Sequence, residues 1–172
     1  MTPLTQMYLV RHAKAGSRRA WSGPDDLRPL TKTGRRQADA LGDLLAGRRV
    51  TRLVSSPYVR CRQTVEPLGQ RLRLPIDLAD ELAEGTPLPE ARRLMEKFAH
   101  EATVLCTHGD VIGELLESIA RQGLIGPDVR FEKGSTWVLD FQGDDVTGAM
   151  YLAPPPLRGD ARTNGERQGT DA

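Results

Sequence analysis

A chain of 172 residues with 24 Lys plus Arg against 23 Asp plus Glu carries a formal net charge of +1. That length supports a single domain with a buried core, and the even charge balance excludes the basic surface of a general nucleic-acid binder. Two cysteines, Cys61 and Cys106, form no disulfide framework and no metal-ligand spacing; no apolar run approaches the ~18 residues of a membrane span or looks like a secretion signal, so a cytoplasmic protein without membrane contact is expected.

In chain order, the apolar run Met7-Tyr8-Leu9-Val10 predicts a buried strand from Gln6 to Val10 that ends at Arg11-His12. A polar loop follows, from Lys14 to Leu30. Ala38, Leu41, Leu44 and Leu45 recur at helical spacing and predict a helix from Gly34 to Ala46, capped by Thr31 or Thr33 and closed by Gly47. Leu53-Val54 reads as a short strand, and the helix after Pro57 carries Val59, Val65, Leu68 and Leu72. A strand from Ile76 to Leu78, a helix from Leu88 to Ala99 and a strand from Ala102 to Cys106 come next. The helix from Gly109 to Arg121 sets Val111, Ile112, Leu115, Leu116 and Ile119 on its inner face. Thr136 to Phe141 alternates as an antiparallel strand does; Gly143-Asp144 turns the chain and Val146 to Leu152 returns.

Strand and helix in alternation, then a hairpin, predict an α/β fold: a three-layer α/β/α sandwich with a mainly parallel, mixed central sheet. The folded domain is expected over residues 1–153. Residues 154–172, Pro-rich and then polar, hold too little apolar surface to offset their ordering entropy and are expected to form a disordered tail.

Three polar clusters follow predicted strands: Arg11-His12-Ala13, Ser55-Ser56-Pro57 with Arg60, and Thr107-His108-Gly109. In a parallel sheet the carboxyl ends of the strands share one edge, so these clusters converge there. Arg11 and Arg60 then offer two planar, permanently charged forks suited to phosphate oxygens. His108 adds a third donor, and helix starts at Pro57 and Gly109 add backbone N–H groups. His12 is the candidate nucleophile, its second ring nitrogen needing a backbone acceptor to fix the tautomer. A leaving group needs a proton; Glu84 is the candidate general acid and Glu81 the alternate.

Leu9-Val10-Arg11-His12, Ser55-Ser56-Pro57 with Arg60 and Gln63-Thr64, Leu82-Ala83-Glu84 and Thr107-His108-Gly109 together resemble the histidine phosphatase superfamily, the phosphoglycerate-mutase-like fold, in its small form. Leu27-Arg28-Pro29-Leu30-Thr31, with Gly34 and Gln37-Ala38, resembles SixA-type phosphohistidine phosphatases. Arg60-Cys61-Arg62-Gln63-Thr64 and Lys133-Gly134-Ser135-Thr136-Trp137 are similar to the histidine phosphatase domain that follows a Nudix domain in MutT-like proteins, although no Nudix signature precedes it here.

The resemblance covers residues 6 to 152. It implies a metal-independent and cofactor-free phosphatase in which Arg11, Arg60 and His108 hold phosphate and His12 is phosphorylated. Its substrate would be a phosphate ester, a nucleotide-type phosphate or a protein phosphohistidine. Ala13 stands where the family has glycine, which matters only if the site needs a positive φ. Further candidates for touching substrate are Lys14, Ser17, Arg18, Arg28, Gly109, Lys133 and Ser135, with Arg28 alternatively paired to Asp25 or Asp26. The expected partner is a phosphorylated small molecule or a phosphohistidine protein, met by a monomer or weak dimer. A non-catalytic phosphate-binding scaffold and a phosphomutase remain as alternatives.

Overall fold

A computed structural model describes residues 2–157. Six strands form one sheet in the order β3-β2-β4-β1-β5-β6. The strands are β1 Leu4–Arg11, β2 Arg52–Ser55, β3 Ile76–Leu78, β4 Thr103–Thr107, β5 Thr136–Gln142 and β6 Asp145–Leu152. Four helices connect or flank them: α1 Lys32–Ala46, α2 Val59–Leu72, α3 Leu88–Lys97 and α4 Gly109–Arg121. The first four strands pair in parallel, and β5 and β6 add an antiparallel hairpin beside β1.

Alternation along β1 divides the core. Met7 and Leu9 face a cluster that holds Leu94 and Met95 of α3 and Ile112, Leu115 and Leu116 of α4. Tyr8 and Val10 face the opposite cluster, with Leu41 and Leu45 of α1 and Val65 and Leu68 of α2. Side chains at successive strand positions point to opposite faces, so one strand feeds both layers. Each of these large apolar groups contributes roughly 1.5–3 kcal/mol by leaving water. The result is the α/β/α sandwich with a mainly parallel, mixed sheet that the sequence predicts.

Register places the chemistry. Arg11 is paired with Thr107, and Ser55 with Cys106. The residues that follow, His12, Ser56 and His108, therefore emerge side by side at one sheet edge. His12 N–H still donates to Thr107 O (3.1 Å) and Ser56 N–H to Cys106 O (2.9 Å), so the sheet pattern carries on into the site.

Several boundaries differ from expectation. β2 extends beyond Leu53-Val54 because its pairing with β4 runs from Arg52 to Ser55. α2 begins at Val59, not at Pro57, with Tyr58 in an extended conformation as its N-cap. α3 stops at Lys97, because Phe98 leaves helical geometry (φ −102°, ψ 10°). Thr31 is the cap of α1, accepting from Gly34 N–H at 3.0 Å. Past residue 153, Pro155 and Pro156 line a cavity together with Lys32, Arg35 and Arg36 of α1. The rest of the expected tail, 158–172, falls outside the described residues. Among the described residues no helix is long and apolar enough to cross a membrane.

Candidate active site

A cleft of about 410 Å³ opens at this edge, lined by Arg11, His12, Arg18, Arg28, Arg60, Glu84, His108, Gly109, Asp110, Phe131 and Lys133. Six stretches meet there: the end of β1, the loop that carries Arg18 and Arg28, the first turn of α2, the segment with Glu84, the start of α4 and the loop that leads into β5.

His12 sits on the floor, 6% exposed. Its Nδ1 lies 2.8 Å from the carbonyl oxygen of Ala13. A carbonyl only accepts, so Nδ1 carries the proton and Nε2 keeps its lone pair. Burial drives the His12 pKa down to about 3, against the opposing hydrogen bond to Ala13 and assisted by the positive field of His108, Arg60 and Arg11. The ring is thus a neutral imidazole held in one orientation.

The alanine after it causes no strain. Among the described residues Arg73 is the only non-glycine with positive φ, so position 13 does not require the family's glycine. Ala13 N–H donates to Thr64 Oγ1 (2.9 Å), Lys14 N–H to Gln37 Oε1 (2.9 Å) and Leu30 N–H to Gln63 Oε1 (2.8 Å). The polar residues of α1 and α2 that carry the family resemblance therefore pin the loops around His12. Gly34 serves the same packing: a Cβ there would fall 1.9 Å from the Lys14 carbonyl oxygen.

Arg11 and Arg60 flank the floor. Arg11 donates from one terminal nitrogen to Phe131 O (2.8 Å) and packs over the Phe131 ring. Burial lowers its pKa and the Asp110 carboxylate opposes that, leaving it a cation. Arg60, 1% exposed, donates to Asp25 O (2.8 Å), Asp25 Oδ2 (3.1 Å) and Glu84 Oε2 (3.0 Å). Arg11 Nε, Arg60 Nε and His108 Nδ1 are buried and make no hydrogen bond. The ring of His108 stands edge-on to that of His12, centroids 5.4 Å apart. Buried donors normally find partners. The residues that carry these unpartnered atoms line the cleft with the His12 ring, a cationic setting that suits an acceptor-rich anion, and α4 sets its N-terminus there at Gly109.

Glu84 lines the cleft, bound by Arg60 and by Arg18 Nη2 at 2.9 Å. Glu81, the alternate acid, lines a separate cavity with Leu94 and Lys97 and is not brought to His12, because the short 3-10 turn Asp80–Leu82 points it away.

The remaining sequence candidates divide. Arg18, Arg28, Gly109 and Lys133 line the cleft. Burial and the neighbouring charges of Arg11, Arg28, Lys14 and Arg60 lower the Lys133 pKa. Lys14 and Ser17 do not line it: Lys14 is exposed, its amide held by Gln37, and Ser17 O caps a turn at Ala20 and Trp21. Ser135 is fully buried and meets Arg11 only through its carbonyl, which accepts Arg11 N–H at 3.1 Å.

Asp25 is the residue the sequence reading undervalued. It binds Arg60, Arg28 Nε (2.9 Å) and Arg18 (3.5 Å). Partial burial would raise its pKa, but the Arg28 hydrogen bond and the charges of Arg60, Arg28 and Arg18 outweigh that and hold it low. The i,i+3 spacing of Asp25 and Arg28 was the available signal; the longer reach to Arg60 was not.

The histidine phosphatase superfamily (branch 1) family model matches residues 7–86. An 8-oxo-(d)GTP phosphatase from Mycolicibacterium smegmatis is 39% identical over 153 residues, 86% of this chain and 48% of that protein. The phosphohistidine phosphatase SixA of Escherichia coli is 36% identical over 84 residues, 48% of this chain and 50% of its own length. The chain thus spans about half the length of these curated relatives. A solved structure of the protein histidine phosphatase SixA complexed with tungstate shares the fold, with TM-score 0.73 at 22% identity over 87% of this chain and 97% of that one. Strand order, the His12 cleft and these likenesses agree in supporting a SixA-like histidine phosphatase.

Proposed function

We propose that the protein is a phosphohydrolase that works through a phosphohistidine on His12. One observation carries the reading: a neutral, oriented imidazole lines one cleft with Arg11, Arg60 and His108, whose Nε, Nε and Nδ1 atoms are buried without partners. His12 Nε2 attacks phosphorus in line, the P–N bond forms and the P–O bond to the leaving group breaks. The two guanidinium groups and His108 spread the charge of the transferring phosphoryl group. Phosphate entering the cleft competes with Glu84 for Arg60; the released carboxylate takes up a proton from the incoming phosphate monoanion or from solvent and passes it to the leaving oxygen. It then takes a proton from the water that cleaves the P–N bond, and inorganic phosphate departs.

The substrate we favour is a nucleotide-type phosphate. Beyond the phosphate donors the cleft is lined by Arg18 and Arg28, which also hold Asp25 and Glu84, and by Lys133, a cationic rim suited to a second phosphate group. The relative that matches most of this chain is named for a nucleotide substrate. The SixA likeness favours a second reading, a phosphohistidine protein. A turnover panel separates them: nucleoside di- and triphosphates, dinucleoside polyphosphates, sugar phosphates and a phosphohistidine protein. Free phosphate from nucleotides, lost in His12→Ala, supports the first. Binding without turnover anywhere would replace the enzyme with a phosphate-binding scaffold, and transfer between positions of one sugar phosphate would make it a mutase.

A further inference from the structure

Behind the cleft, His108 is held by a hydroxyl. Ser56, fully buried, places Oγ 2.8 Å from His108 Nε2. The same oxygen accepts the Tyr58 backbone N–H at 3.3 Å. Cys61 Sγ reaches that ring nitrogen too, at 3.5 Å. The other nitrogen, Nδ1, is buried and has no partner. The Tyr58 ring meets the imidazole edge-on, centroids 4.7 Å apart, and restrains its plane.

We propose that Ser56 is a positioning residue that fixes the tautomer of His108, holding Nε2 as acceptor so that Nδ1–H is presented to the substrate phosphate. The idea rests on reading the cleft as a phosphate site. A hydroxyl has one proton to give. Oγ accepts the Tyr58 N–H, and among the described residues its own proton has no acceptor in reach except Nε2, so it goes there and leaves the ring's own proton on Nδ1. The opposite arrangement would bury the serine proton without an acceptor and aim a lone pair at an anion. Both carry desolvation costs that the first arrangement avoids. The His12 tautomer is set by a carbonyl and that of His108 by a hydroxyl, so one ring faces phosphorus with a lone pair and the other faces a phosphate oxygen with a proton.

Long-range ¹H–¹⁵N correlation of the labelled protein near neutral pH reads this directly, with His108 assigned by its loss in His108→Asn. The expected result is a protonated Nδ1 and an unprotonated Nε2. In Ser56→Ala the two forms mix, and inhibition by inorganic phosphate weakens about ten-fold, the loss of one charge-assisted hydrogen bond. Ser56→Thr, which restores the hydroxyl, recovers both signals, and Cys61→Ala leaves the tautomer as it was. A parent ring protonated on Nε2, or on both nitrogens, overturns the proposal; so does a Ser56→Ala protein with unchanged spectrum and phosphate affinity. Should that variant fail to fold, the parent spectrum still decides. The predicted tautomer in a protein that binds phosphate but turns over no phosphorylated compound would remove the hydrolase reading and leave this one standing.

Discussion

Asp25 grips Arg60 at two points, through its backbone carbonyl (2.8 Å) and its carboxylate (3.1 Å), and so fixes the guanidinium that faces His12. Both terminal nitrogens of Arg60 are engaged, by Asp25 and Glu84, which leaves Nε as the buried donor without a partner. Charged hydrogen bonds of this kind contribute roughly 1.5–3 kcal/mol. In Asp25→Asn, KM for an aryl phosphate should rise about ten-fold with a smaller change in kcat, because the clamp loosens while the nucleophile stays in place. Steady-state kinetics checks this; an unchanged KM would remove Asp25 from the site.

The nucleophile is tested by trapping. Brief incubation with substrate and mass spectrometry should find a phosphoryl group on His12 of the parent, and none in His12→Ala. Turnover in that variant should fall by more than about 10³-fold, since the covalent route is lost altogether. Residual activity near the parent level would mean that another group does the chemistry.

Glu84 answers to leaving-group chemistry. An aryl phosphate departs without much help, whereas an alkyl phosphate needs a proton. Glu84→Gln should therefore lower kcat for an alkyl substrate about 10²-fold and for an activated aryl substrate far less, within the usual 10²–10⁴-fold range of general acid catalysis. Equal losses on both substrates would assign Glu84 to holding Arg18 and Arg60 instead.

Gly109 separates function from stability. A Cβ at this position would lie 2.9 Å from Arg11 Cζ and Nη2. The guanidinium is the far end of a flexible side chain and can shift at the cost of its hydrogen bond to Phe131 O, so Gly109→Ala should still fold, with a Tm only modestly below the parent. Activity should nevertheless drop 10- to 100-fold, because Arg11 leaves the anion. Thermal melts and kcat/KM on the same preparation decide it.

The depressed His12 pKa has a consequence for stability. The folded ring stays neutral down to about pH 3, while the unfolded ring protonates near its ordinary 6.5. The unfolded state then binds the extra proton between those limits, so stability falls as pH drops through this window. The slope from this residue is at most about 1.4 kcal/mol per pH unit. Replacing His12 with Gln should flatten that part of the profile in denaturant melts from pH 7 to 4. A parallel profile in both proteins would contradict the burial of the ring.

What the sequence could and could not show has a physical basis. Arg11, His12 and His108 follow strands whose apolar runs are plain, and parallel strands bring their carboxyl ends together, so their meeting was legible. The three-layer architecture was legible for the same reason, since β1 alternates Met7 and Leu9 with Tyr8 and Val10. Loop contacts were not. Nothing local indicates that Asp25 reaches Arg60, thirty-five positions on, or that Phe131 backs Arg11. Ser135 looked available beside Lys133 but is fully buried just before β5 and does not line the cleft. Glu84 was preferred over Glu81 from the Leu82-Ala83-Glu84 pattern, and the fold agrees to the extent that Glu84 lines the cleft while Glu81, inside the 3-10 turn, lines a separate cavity.

β1 is bonded along both edges, to β4 and to β5, right up to the residue before the nucleophile. Amides so enclosed exchange with solvent only when the whole sheet comes apart, whereas chain carrying Asp25 and Glu84 has no such interlock. Warming should therefore fray the acidic rim first and release the imidazole last, with slow deuterium uptake at Leu9 and Val10 and fast uptake around the two carboxylates.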